Sequence, residues 1–161
     1  MAAEYYLKID GIEGESTKAK VENQIEVLTW GWSESNAGSF SHGGGGGTGK
    51  VNMNDFHFTM TVNKASPKLF LACATGEHIK SAVLTCRKAG KEQQDYLIYK
   101  FSDLLISSYQ TGGDLASDHL PTDSVSFNFA KVETEYKPQK ADGTLGSGIK
   151  AGYDLKKATK V

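Results

Sequence analysis

The run Gly44-Gly45-Gly46-Gly47-Thr48-Gly49-Lys50 has the residue types and spacing of a phosphate-binding loop. In such a loop glycine N–H groups cradle phosphate oxygens, the lysine reaches the outer phosphates and a following hydroxyl holds magnesium. Here the residue after Lys50 is Val51, which has no hydroxyl. The next residues alternate like a strand, so the helix N-terminus that should face the phosphates is missing. The motif therefore reads against nucleotide chemistry. The histidines His42, His57, His78 and His119 are scattered, without the spacing of a metal site. Asp114, Asp118 and Asp123 flank Gly112, Gly113 and Pro121 without the ligand order of a calcium loop, and turn formation explains them. Cys73 and Cys86 have apolar or small neighbours and no base beside them, as expected of buried thiols in a protein that folds in the cytoplasm. No catalytic residue, metal or cofactor is expected.

The elements that position these residues are mostly strands. Phe56, Phe58, Met60 and Val62 alternate with His57, Thr59 and Thr61, and Val125, Phe127 and Phe129 alternate with Ser124, Ser126 and Asn128. After Ala130 the phase slips to Val132 and Tyr136, the mark of a bulge or of a strand passing between sheets. Further strands are expected over 3–9, 25–35, 79–88, 94–109 and 149–156. One helix is expected over about 66–75, with Ser66 as N-cap, Pro67 in the first turn and Gly76 as terminator; Leu69, Ala72 and Cys73 share its inner face. The expected fold is mainly β: a barrel of two antiparallel sheets, one flanking helix and a long extended loop over about 35–49. The strand 25–35 is distinctive. Leu28, Trp30 and Trp32 take one side, and Thr29, Gly31 and Ser33 give the other a smooth, weakly polar face suited to a close contact or a shared cavity wall.

The 161 residues suffice for one domain, 1–161, that buries roughly two thirds of its unfolded surface. Lysine plus arginine number 18 against 19 acidic residues, which gives no strong field toward nucleic acid or an anionic membrane. No apolar run reaches the roughly 20 residues of a membrane helix, and the start of the chain lacks the pattern of a secretory signal.

Several separated motifs then carry a resemblance. His42 to Asn52 (HGGGGGTGKVN), Leu71-Ala72-Cys73 with Thr75-Gly76 and His78, Arg87-Lys88-Ala89-Gly90, Asn128-Phe129-Ala130-Lys131-Val132 and Tyr136 to Gly143 occur in the order of the haemolysin-coregulated protein family, Hcp, which this chain resembles from Tyr5 to Ala158. The resemblance implies a tube subunit of the type VI secretion system. It would form homohexameric rings that stack around a channel, inside a contractile sheath and beneath a VgrG-type spike, and would carry small effector proteins in the lumen. It implies residence in the cytoplasm until firing and export without a cleaved signal peptide, with no nucleic-acid partner and no membrane insertion. Thr29, Gly31 and Ser33 would face the lumen. Trp30 and Trp32, with Phe56, Phe58, Phe127 and Phe129, would fill the barrel core. Ser39, Phe40, Ser41, His42, Gly43, Gly44, Gly45, Gly46 and Gly47 would form a loop reaching a neighbouring subunit or ring. The alternatives are a phage-type tail-tube protein, a nucleotide-binding enzyme built on the glycine loop and a monomeric ligand-binding barrel.

Overall fold

The structure, a computed structural model, describes residues 2–38, 50–89 and 93–161. The strands are β1 (Ala3–Ile9), β2 (Ile25–Glu26), β3 (Thr29–Gly31), β4 (Glu34–Asn36), β5 (Val51–Met53), β6 (Phe56–Thr61), β7 (His78–Lys88), β8 (Gln94–Gly112), β9 (Thr122–Tyr136), β10 (Ile149–Asp154) and β11 (Thr159–Lys160). The helix α1 spans Ser66–Thr75. Pairing throughout is antiparallel, and the main sheet runs β11-β10-β9-β8-β7-β1-β2, with β3 and β6 branching from β9.

The branch arises because β9 is long and changes neighbour along its length. Residues 122–127 pair with β6, and residues 131–136 pair with β10 on the same side, while β8 follows β9 along its other edge. Both long strands turn their buried faces at one level. In β9 the buried set changes from Val125, Phe127 and Phe129 to Val132; in β8 it changes from Phe101 to Leu104 and Ile106. Register holds across this point, with Ser102 opposite Lys131 and Leu104 opposite Phe129. Asp103, between them, takes a left-handed φ of 56°. The phase slip after Ala130 is thus a paired kink that carries both strands from one leaf to a second, and the bulge in this ladder lies elsewhere, between Ile106 and Ser108.

One leaf is β3-β6-β9-β8, using the first half of β9 and the second half of β8. The other contains β10, β9, β8, β7, β1 and β2. The core lies between them. Phe56 stacks on Phe127 with centroids 4.9 Å apart, Phe101 meets Phe129 at 4.8 Å, and Phe56, Phe58, Phe101 and Phe127 have no exposed surface. Trp30 packs on Tyr5, Phe56 and Tyr99, and Trp32 on Tyr99, Phe101 and Phe129; both are half-buried.

The leaves do not close into the expected barrel; they meet as an open pair joined through β8 and β9. The single strand expected over 25–35 is also three short ones. The Val27 N–H bonds to the Tyr5 carbonyl and the Leu28 N–H to the Thr59 carbonyl, so the chain leaves one leaf and joins the other within two residues. That corner takes Leu28 off the face of Trp30 and Trp32 and leaves it exposed.

Helix α1 ends as expected at Gly76, whose φ of 65° suits glycine. Its start differs. Ala65 occupies the cap position without a side-chain cap, and Ser66 is the first helical residue. The Ser66 hydroxyl instead donates to Asp123 Oδ2 at 2.6 Å, while the Asn63 side chain accepts from the Ala65 N–H and turns the chain into the helix. Tyr109 also donates to Asp123 Oδ2, at 3.0 Å. A buried carboxylate thus sits at the helix N-terminus, where the helix dipole favours negative charge.

Candidate functional site: a polar wall

The outer face of the β3-β6-β9-β8 leaf is built by register. Thr29, Thr59, Ser124 and Gln110 form one row across the four strands, and Gly31, His57, Ser126 and Ser108 form the next. Alternation along each strand puts these side chains opposite the phenylalanine core, so burying Phe56, Phe58, Val125 and Phe127 dictates the wall. Neither row contains a charged side chain. Asp55, just before β6, accepts a hydrogen bond from Ser107 at the β8 bulge at 2.5 Å. Within the wall the Thr29 and Thr59 hydroxyls lie 2.6 Å apart in a hydrogen bond, and the Thr29 N–H donates to Thr59 Oγ1 at 3.2 Å.

Of the three residues expected on this face, Thr29 and Gly31 stand in the paired rows. Ser33 lies beyond the end of β3, where Asn54 Nδ2 donates to its hydroxyl at 2.6 Å. Sequence reasoning left out His57, Thr59, Ser124, Ser126, Ser108 and Gln110 as wall residues. The signal was present: the polar positions of 56–62 and 124–129 are the complement of the buried set. What the sequence lacked was the pairing of β6 and β9 beside β3. At one end of the wall an open hollow of about 850 Å³ is lined by Thr59, Thr61, Gln110, Ser124 and the exposed Leu28 and Leu120.

Position 31 is tight. A Cβ built on Gly31 would stand 3.0 Å from both Cε1 and Nε2 of His57, because the imidazole of the cross-strand partner lies over the glycine.

The extended loop begins as the β4–β5 ribbon, with Glu34 opposite Met53 and Asn36 opposite Val51. Beside this stem lies an apolar groove of about 630 Å³ lined by Trp32, Val51, Met53, Val132 and Tyr153. Ser39 to Gly47, expected to reach a neighbour, lie outside the described residues. Val51, after the glycine-rich run, does start a strand, which is incompatible with a phosphate-binding helix there. Among the described residues no group of three or more His, Cys, Asp or Glu could hold a metal ion, and no helix is long and apolar enough to cross a membrane.

Comparison with known proteins places this architecture. The profile of the family described as "Type VI secretion system effector, Hcp" matches residues 6–136. "Protein hcp1" of Pseudomonas aeruginosa is 48% identical over 158 residues, 97% of each chain. The crystal structure of Hcp1 from Salmonella typhimurium is similar with a TM-score of 0.82 and 35% identity, covering 100% of both chains. A structure described as a type six secretion system protein reaches a TM-score of 0.93 at 32% identity, over 99% of this chain and 100% of its own. The pair of leaves, the helix α1 and the motifs spread along the chain thus coincide with one family over nearly its whole length: this protein belongs to the Hcp family of type VI secretion system proteins.

Proposed function

We propose that the uncharged β3-β6-β9-β8 wall lines the channel of a homohexameric ring, and that the protein works as a structural tube subunit and carrier without catalysis. The observation that carries this reading is a polar sheet with an edge that lacks a partner strand, among the described residues, at each side. There β3 pairs only with β6. On β8 the pairing with β7 stops at Leu105, opposite His78, so among the described residues one edge of Ile106–Gly112 has no partner strand. Open edges invite further pairing. With four antiparallel strands in the leaf, β3 and β8 run in opposite senses, and the β3 of a second copy continues the antiparallel ladder on β8. This is a heterologous contact of the kind that closes rings.

On this reading the chain acts as one domain, 1–161. Rings stack, and the tube works with a contractile sheath and a VgrG-type spike. Small effector proteins travel in the lumen. The protein stays in the cytoplasm until firing and is then exported.

Size-exclusion chromatography with light scattering tests the ring. The expected particle is near six times the 17.4 kDa chain mass. A monomer at every concentration would sink the proposal.

A further inference from the structure

His57 stands out from the wall proposed to line the channel, and its role rests on that proposed lining. Of the eight side-chain positions in the two paired rows, seven carry hydrogen, a hydroxyl or one amide, and only His57 carries a ring. Its row neighbours are Gly31 on one side and Ser126 on the other, the smallest pair the wall offers. The imidazole is exposed and leans over Gly31, and among the described residues its ring nitrogens meet no hydrogen-bond partner. The Thr29 and Thr59 hydroxyls in the adjacent row, by contrast, are engaged with each other.

We propose that His57 is the specificity-determining contact between this wall and the protein it carries, and that Gly31 is a positioning residue that lets the imidazole lie across the wall. An imidazole offers two ring nitrogens for hydrogen bonding and a flat face for stacking. The rows around it offer only neutral hydroxyls and one amide. The passenger that fits is therefore a protein whose surface presents hydrogen-bonding and planar side chains to His57, held without complementary net charge. Position 31 enters through space: with Cε1 and Nε2 both 3.0 Å from a Cβ there, a side chain at 31 shifts the ring by at least a few tenths of an ångström. Residues 31 and 57 thus act as one unit, and changing either alters the same contact.

Diethyl pyrocarbonate, which modifies exposed imidazoles, is the probe. Rings isolated with co-purifying protein are compared with the same rings washed free of it in dilute urea, and modification is read site by site by mass spectrometry. His57 is expected to react about tenfold more slowly in loaded rings, the scale of one well-placed contact. His78, bonded to Asp103 at the kink, is expected to react equally in both. His57→Ala rings should keep their mass and lose about tenfold of the passenger. Gly31→Ala should lose it too, with an altered His57 reaction rate in empty rings. Equal His57 labelling in loaded and empty rings overturns the proposal, as does full retention by His57→Ala. If Ser126→Gln expels the passenger while His57→Ala does not, the wall stands as the channel lining and only the role of His57 falls. Rings that carry no protein at all remove the carrier reading and this proposal together.

Discussion

Two buried groups show how single side chains secure the frame behind the wall. Asp123 is 1% exposed and takes hydrogen bonds from Ser66 on α1 and Tyr109 on β8, so one carboxylate ties helix, β8 and β9 together. Burial, followed by the bond to Asp123, raises the Tyr109 hydroxyl above its ordinary pKa. Asp123→Ala strands both hydroxyls and is expected to lower stability by about 2–4 kcal/mol in urea unfolding; a loss below about 1 kcal/mol would show that the cluster contributes little. Cys86 is held among core side chains, and burial pushes its thiol up to about 12 from an ordinary 9.0. Its proton is kept in the fold and lost from the unfolded chain. The thiol's contribution is therefore fully present below pH 9 and is lost as pH rises toward 12. Alkaline unfolding of Cys86→Ala should lack that component. In the native protein at neutral pH, iodoacetamide should leave Cys86 unmodified until the chain unfolds, and early modification would contradict its burial.

The helix and the kink mark how far the sequence could be read at the level of elements. Helix limits were legible because Pro67 and Gly76 act locally; Gly76→Ala is expected to cost about 1 kcal/mol, measured by thermal or urea unfolding, since φ is 65° there. The cap was not legible. Ser66 has the chemistry of an N-cap, but a carboxylate 57 positions away claimed its hydroxyl. The face change after Ala130 was legible in one strand as a slip in period. Its counterpart at Asp103 was hidden because Leu104 and Leu105 are both apolar, and Leu105 is only half-buried. The break at Val27 and Leu28 left the same kind of trace as the one after Ala130, because the apolar set passes from the odd positions Ile25 and Val27 to the even positions Leu28, Trp30 and Trp32; the two hydrogen bonds to different leaves show that this slip is a corner. Thr29 and Gly31 were singled out by their small size, while the remainder of the wall depended on non-local pairings that spacing within a strand does not reveal.

At the scale of the whole molecule the two leaves divide the work: one carries the polar wall, and both bury the aromatic core. Substituting Ser126, in the second wall row, tests the assembly separately from the fold. Ser126→Lys adds a half-exposed charge and should change the stability of the isolated chain by no more than about 0.5 kcal/mol. In a ring it repeats one cation on every subunit. Light scattering should then show a lower assembled mass in dilute buffer and recovery as salt screens the repulsion. A mass indifferent to salt would place Ser126 away from any shared channel.

The continuity of β8 and β9 through the kink has a mechanical consequence. Two sheets held only by side-chain packing can slide or peel apart under load. Here each leaf is covalently the continuation of the other through two adjacent strands, joined to each other by a ladder running from Leu97 opposite Tyr136 to Gly112 opposite Thr122. A push on the leaf containing β10, β7, β1 and β2 therefore reaches the wall along backbone and cross-strand hydrogen bonds. A subunit built this way transmits thrust as a bent girder does, and yields only when many ladder bonds break together.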